Sequence, residues 1–124
     1  MRVFVVSILL MAFCYQPLFA QWSDVTTGDL GDISQSRGVS WCDYDNDGDQ
    51  DLYLANNGVN HLWRNDGEDP LNPGQWLFND IGLGDGSGIS NSSRGSVAIW
   101  GDYDNDGDSD FYLSNDIGSN VLFR

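Results

Sequence analysis

The chain has 124 residues, the length of one ordinary domain, and 19 acidic residues against 5 basic ones give it a formal net charge of −14. All five basic residues are arginines, so the chain has neither a lysine for Schiff-base chemistry nor a basic stripe for a nucleic-acid backbone. Hydrophobic residues make up 40% and aromatic residues 13% of the chain, which is enough to bury a core and argues against intrinsic disorder.

The first twenty residues have the pattern of a secretory signal peptide. Arg2 precedes an apolar stretch over 3–14, and Ala20 offers a cleavage site before Gln21. The alternative is an uncleaved anchor, but the stretch is short for a bilayer core of about 30 Å. We therefore expect a signal peptide at 1–20, no membrane span in the mature chain, and a secreted, extracellular protein (periplasmic or on the cell surface if the source is bacterial).

The rest of the sequence repeats itself at a main offset of 59 residues, which becomes 60 near the end. The segment RGVSWCDYDNDGDQDLYLANNGVNHLWRN, residues 37–65, corresponds to RGSVAIWGDYDNDGDSDFYLSNDIGSNVLFR, residues 94–124. This self-similarity divides the chain into one repeat at 21–75 and a second at 76–124.

Each repeat has the pattern of short strands separated by turns, with no sustained helical period. A loop is predicted at 65–75, which contains two prolines and two glycines, and a mobile loop at 85–93. Four antiparallel strands per repeat is the composition of a propeller blade, so we predict an all-β fold of about two four-stranded blades of a β-propeller. The predicted strands are 38–42, 51–55, 61–64, 76–81, 96–101, 110–114 and 121–123.

Ten of the 19 acids lie in two stretches, DYDNDGDQD at 43–51 and DYDNDGDSD at 102–110. Carboxylates at such spacing repel each other, and a divalent cation is the natural compensation. Side chains at positions 1, 3 and 5 converge, glycine at position 6 permits a sharp turn, and the all-oxygen ligand set favours Ca²⁺ over zinc or copper. We predict about two calcium sites, with the candidate metal residues Asp43, Asp45, Asp47, Asp49, Asp51, Asp102, Asp104, Asp106, Asp108 and Asp110.

The acidic stretches have two alternative interpretations. An EF-hand requires a bidentate Glu at position 12 and flanking helices, but this position is Leu54 or Leu113 and the predicted flanks are strands. Acidic surface turns without a metal are the second alternative, and the identical DYDNDGD cores of the two repeats argue against them.

The two motifs resemble the calcium-binding repeats of the FG-GAP/VCBS class, which form seven-bladed propellers such as those of the integrin α-chain head and of secreted cartilage acidic and ASPIC/UnbV-type proteins. The resemblance covers almost all of 22–124 and implies that each motif lies in the hairpin between the first two strands of a blade. Because a propeller closes with about four to eight blades and two are predicted here, we expect a fragment of a seven-bladed propeller. The alternative is an assembly that closes by oligomerising. It implies backbone carbonyl ligands from Asp49 and Asp108, and side-chain ligands from Asp43, Asp45, Asp47, Asp51, Asp102, Asp104, Asp106 and Asp110.

We therefore expect a secreted module in which calcium fixes the inter-strand loops and the propeller presents a face to an extracellular protein or glycan. The alternatives are a calcium-stabilised accessory domain of a larger secreted enzyme and a calcium spacer similar to thrombospondin type 3 repeats. The chain itself is predicted not to be an enzyme, because carboxylates committed to calcium are poor general acids. The only histidine, His61, also provides no nucleophile–base set.

Four aromatic residues have predicted structural roles in the repeats. Trp41 and Trp100 are expected to pack between blades, while Tyr44 and Tyr103 shield the acidic loops. Removal of the signal peptide leaves Cys42 without an internal partner, so it is either buried or a partner for another chain. Its position at the end of an apolar stretch favours a buried small residue.

Overall fold

The structure is a computed structural model that describes residues 22–26, 28–31, 35–82, 89 and 94–124. The predicted signal peptide at 1–20 and most of the predicted mobile loop at 85–93 lie outside these residues. All regular structure in the described part is β, apart from one 3-10 turn at Gly28–Leu30, which confirms the all-β prediction. Within the same part, no helix is long and apolar enough to cross a membrane.

Seven strands form two antiparallel sheets. The first sheet has the order β1-β2-β3-β4 and the second the order β5-β6-β7, so each strand pairs with its neighbour in sequence, as in a propeller blade. The strands are β1 Ser36–Cys42, β2 Asp51–Asn56, β3 His61–Glu68, β4 Trp76–Asp80, β5 Gly95–Gly101, β6 Asp110–Asn115 and β7 Val121–Phe123.

Two details differ from the sequence pattern. Strand β3 continues to Glu68, although a loop was predicted from Asn65, because an irregularity in the pairing with β4 between Asn65 and Glu68 accommodates Gly67 at a φ of 82°. Strand β4 pairs with β3 and completes the first sheet, although its residues belong to the second sequence repeat. The sheets therefore do not coincide with the sequence repeats. The repeat boundary at 75/76 stays a prediction.

The two sheets repeat each other in register. Trp41 pairs with Leu52, and Leu52 with Trp63, in the first sheet. Trp100 pairs with Phe111, and Phe111 with Phe123, in the second. Both first strands also carry a register shift at the same place, between Ser36 and Gly38 and between Gly95 and Val97.

The core lies between the sheets. Because side chains alternate along a strand, Tyr53 and Leu62 lie on the face of the first sheet that packs against Ala98, Phe111 and Leu113 of the second. The ring centroids of Tyr53 and Phe111 are 5.1 Å apart. We call this contact the seam; its buried residues are Tyr53, Ala55, Leu62, Ala98, Phe111 and Leu113.

Glycine allows the two sheets to approach closely at one corner of the seam. A Cβ atom added to Gly38 would lie 2.4 Å from the carbonyl oxygen of Ser96. Because this oxygen belongs to the backbone, no side-chain rotation could relieve the clash. A Cβ atom on Gly95 would lie 2.6 Å from Oδ1 of Asn60. Each repeat therefore needs its glycine for inter-sheet packing rather than for a turn.

Candidate metal centre

Both acidic stretches form the connection between the first two strands of a sheet. The first lies between β1 and β2, and the second between β5 and β6. Pairing of Cys42 with Asp51, and of Gly101 with Asp110, closes the two hairpins at equivalent positions. The hairpin location that the resemblance implied is therefore observed in both repeats.

The two loops have the same backbone conformation. Asn46 and Asn105 both have a φ of 60°, while Gly48 and Gly107 have φ values of 99° and 98°. Left-handed backbone is well tolerated by glycine and by asparagine, which explains the NDG sequence at the tip of each loop. Two left-handed residues this close together turn the chain sharply at the tip of each loop.

Hydrogen bonds from the backbone hold the first acid of each loop in place. The Asp43 carboxylate accepts from the amides of Asp47 and Gly48, both at 3.0 Å, and Oδ1 of Asp47 accepts from the amide of Asp49 at 2.9 Å. The second loop has the same three bonds: Asp102 accepts from Asp106 and Gly107, both at 3.2 Å, and Asp106 accepts from Asp108 at 3.1 Å.

The last acid of each motif is the first residue of a strand and is buried. Asp51 is 1% exposed and Asp110 2% exposed. Asp51 accepts from the amide of Tyr44 at 3.0 Å, and Asp110 from the amide of Tyr103 at 2.9 Å. Asp51 also accepts from the amide of Asn65 in β3 at 2.8 Å, a long-range contact that motif spacing does not show.

Burial makes the charge on Asp51 costly. Loss of water raises the pKa of the Asp51 carboxyl, and the charges of Asp45 and Asp47 raise it further, while the amides of Asn65 and Tyr44 partly oppose this shift. A divalent cation at this position would supply the missing opposite charge and favour the ionised form. The environment of Asp51 is therefore suited to a bound cation.

In each loop, three carboxylates come close enough to share an ion. Oxygens of Asp43, Asp45 and Asp51 lie within 4.8 Å of one another in the first loop, and those of Asp102, Asp104 and Asp106 do so in the second. The two groups share motif positions 1 and 3 and differ in the third member. Neither group contains the remaining predicted metal residues Asp47, Asp49, Asp108 and Asp110.

Neighbouring arginines differ between the loops. Nε of Arg64 lies 2.6 Å from Oδ1 of Asp66, which is outside the first motif. Its counterpart Arg124 points its Nη1 at Oδ2 of Asp104, a member of the second carboxylate group, at 3.4 Å. Arg64 also interacts electrostatically with Asp45 of the first carboxylate group, so each site has an arginine nearby, and only Arg124 is ion-paired with a member of its group.

The soft ligands nearest to the loops have other partners. Sγ of Cys42, which is a free and half-buried cysteine, contacts Oγ of Ser109 at 3.4 Å. Nδ1 of His61 lies 2.5 Å from Oδ2 of Asp80 across β3 and β4, and the His61 ring stacks on Trp63. The two groups thus consist of oxygen ligands alone, which suits a hard cation such as Ca²⁺.

A model of the FG-GAP-like repeat family matches residues 43–113, more than half of the chain. The chain belongs to the FG-GAP-like repeat family. The FG-GAP match begins at the first acid of the first motif and ends within β6, so it includes both acidic hairpins. No curated protein and no solved structure matches the chain.

Proposed function

We propose that this chain is a calcium-binding FG-GAP-like module in which two ions fix the β1–β2 and β5–β6 hairpins. The observation that carries the proposal is the repetition of one geometry: the same backbone conformation, the same amide hydrogen bonds and three converging carboxylates occur twice. FG-GAP repeats can bind calcium, which agrees with the oxygen-only donor set.

The proposed ligands follow from the described contacts. Asp43, Asp45 and Asp51 would hold the first ion, and Asp102, Asp104 and Asp106 the second. Further ligands would come from the side chain of Asp47, the buried carboxylate of Asp110 and the carbonyls of Asp49 and Asp108. Bound calcium supplies positive charge to a loop whose carboxylates otherwise repel each other.

A calorimetric calcium titration of matched variants tests this proposal. Asp45 and Asp104 occupy the same exposed motif position, so Asp45→Asn and Asp104→Asn each remove one charge while keeping the size of the side chain. We expect two ions for the wild type, one tight site lost in each single variant and both lost in the double variant. Magnesium serves as the competing hard cation.

Glu68→Gln is the control variant, because it removes a negative charge outside both motifs. Oε1 of Glu68 accepts from the amide of Gly74, and a glutamine oxygen can keep this bond. This variant should bind two ions with the affinity of the wild type. Two tight sites in the double variant, or none in a folded wild type, would contradict the proposed assignment.

We propose further that the module is secreted and that it binds an extracellular protein or glycan instead of catalysing a reaction. FG-GAP repeats are typically extracellular, and the N-terminal sequence has the signal-peptide pattern described above. The resemblance of the two motifs to the repeats of secreted VCBS and ASPIC/UnbV-type proteins supports this proposal. The intact mass of protein recovered from the medium or periplasm of expressing cells tests export: a mature chain that begins at Gln21 is expected, and retention of 1–20 contradicts it.

A further inference from the structure

The last acid of the first motif is anchored by a strand outside its own hairpin. Pairing between β2 and β3 ends at Leu52 and Trp63, and Asn65 lies just beyond this end. The amide of Asn65 donates to Oδ1 of Asp51 at 2.8 Å, and the amide of Tyr44 donates to Oδ2 at 3.0 Å. The orientation of this buried carboxylate is therefore fixed from two sides.

The side chain of Asn65 holds the surrounding backbone in place. Its Nδ2 donates to the carbonyl of Gln50 at 3.3 Å, and its Oδ1 accepts from the amide of Gly67 at 3.1 Å. Asn65 is itself buried, and Gly67 lies at the irregularity in the pairing of β3 with β4. One side chain thus joins the end of the first acidic loop to the irregular part of β3.

The second sheet has the same pairing but a weaker anchor. Pairing between β6 and β7 ends at Phe111 and Phe123, and Asp110 accepts from the amide of Tyr103 at 2.9 Å. Among the described residues, no amide of β7 donates to Asp110. The two carboxylate groups differ at the same point, because the first contains Asp51 and the second does not contain Asp110. The last acid of the motif joins its group only where a third strand holds it.

We propose that Asn65 is a positioning residue that holds Asp51 for the first ion and makes this site the tighter of the two. The inference rests on the calcium binding proposed above. A ligand that is already oriented loses less conformational freedom on binding, and loss of an outer partner of a metal ligand typically lowers metal affinity by about 10- to 100-fold. Because binding and anchoring are linked, an ion in the first site should in turn stabilise the contact between the loop and β3.

Calorimetric calcium titrations of single-site proteins test the role of Asn65. Asp104→Asn leaves the first site and Asp45→Asn leaves the second, so Asn65→Ala is placed in each background. It should weaken the first site by about tenfold or more and leave the second unchanged. A difference in affinity between the two sites is not sufficient by itself, because the ion pair of Arg124 with Asp104 also opposes binding at the second.

Asn79→Ala is the matched control, because it also removes an asparagine side chain from the β3–β4 hairpin. Nδ2 of Asn79 donates to Oδ2 of Asp66, which belongs to neither carboxylate group. This variant should bind calcium at the first site with the affinity of its background. An unchanged first site in folded Asn65→Ala protein would overturn the proposal. So would equal weakening by both variants, or equal weakening of both sites by Asn65→Ala, because the effect would then be a general loosening of the fold.

Amide hydrogen exchange gives a second measurement that does not require Asn65→Ala to fold. In Asp104→Asn, calcium should slow exchange of the Asn65 amide more than that of the Ile81 amide, which donates to the Leu62 carbonyl at 2.9 Å in the same strand pair. In Asp45→Asn, calcium should slow the two amides equally, because the ion then binds only the second loop. Equal slowing in both proteins would contradict the coupling of Asn65 to the first ion.

The two proposals fail in different ways. A folded wild type that binds no calcium would contradict calcium binding itself. Two bound ions whose affinities do not respond to Asn65→Ala would leave calcium binding intact and contradict only the positioning role of Asn65.

Discussion

At the scale of single residues, two equivalent tyrosines show how position in the fold changes chemistry. Tyr53 is buried in the seam and its hydroxyl donates to the carbonyl of Ile89 at 3.0 Å, whereas Tyr112 is exposed. Burial raises the pKa of the Tyr53 phenol above its usual value near 10, with a hydrogen bond to Asn60 partly opposing the shift. The fold therefore favours the neutral phenol.

This difference predicts a specific loss of stability at alkaline pH. The pKa of the Tyr53 phenol is higher in the folded state than in the unfolded state. Its contribution to the free energy of unfolding is therefore complete below about pH 10 and falls as the pH rises further, by up to about 1.4 kcal/mol per pH unit. Tyr53→Phe should make the free energy of unfolding less dependent on pH above pH 10. At neutral pH the variant should be less stable by about 1 kcal/mol, because it lacks the hydrogen bond to the Ile89 carbonyl. Urea unfolding at pH 8 and pH 11 measures both effects. Tyr112→Phe is the matched control, and an equally flat profile for it would refute the argument.

At the scale of elements, the first acidic loop contacts the opposite sheet through Tyr44. Its ring stacks on Trp100 of β5 at a centroid distance of 6.4 Å and an angle of 28° between ring planes. Tyr103 has the same place in the second loop, but it is exposed. The two tyrosines were expected to have the same role, and the structure places only Tyr44 at the seam.

Tyr44→Ala should therefore lower the free energy of unfolding more than Tyr103→Ala does. An aromatic pair contributes about 0.5–1.5 kcal/mol beyond the area that it buries, so we expect a difference of about 1 kcal/mol or more in the free energy of unfolding. Urea unfolding of both variants in saturating calcium gives the comparison without a contribution from unequal metal loading. Equal losses would show that the Tyr44–Trp100 contact does not stabilise the seam.

Most strands could be predicted from the sequence because their signals are local. Seven strands were predicted from Asn-Gly and Asp-Gly turns, alternating side chains and the repeated motif. Their ends agree with the structure to within about two residues, except for β3. The extension of β3 depends on pairing with β4, which is distant in sequence, and on an irregularity that local patterns do not specify. Likewise the sequence WSDV at 22–25 is similar to FNDI at 78–81, most of which lies in β4, but 22–25 forms no strand.

The site was predictable to a similar extent. Spacing alone located both acidic hairpins, but it did not show that Asn65 contacts Asp51 or that Arg124 pairs with Asp104. It also assigned Trp41 and Trp100 the same place between blades, whereas only Trp100 lies in the seam and Trp41 is exposed with an edge contact to Phe78. A repeated sequence predicts repeated local structure, but which face of each sheet is covered depends on the arrangement of the whole molecule.

At the scale of the whole molecule, stability is expected to depend on calcium because both hairpins close a strand pair that contributes to the seam. Metal that binds only the folded state stabilises it by about 2.7 kcal/mol per site at a concentration one hundred times the dissociation constant. Removing two ions should therefore cost about 5 kcal/mol, which is a large share of the stability of a chain with so small a core. Metal-free protein should also gain stability from added salt, since screening weakens repulsion among its acids.

Thermal unfolding followed by circular dichroism, with calcium and then with a chelator, measures this dependence. The wild type should lose stability sharply on chelation, and the double variant Asp45→Asn/Asp104→Asn should respond little, because its sites no longer bind the ion tightly. If the variant lost as much stability as the wild type, calcium would be acting elsewhere on the chain. If neither protein responded, the hairpins would be stabilised by their amide hydrogen bonds alone, and the bonds that Asp43 and Asp102 accept would be sufficient to hold each loop.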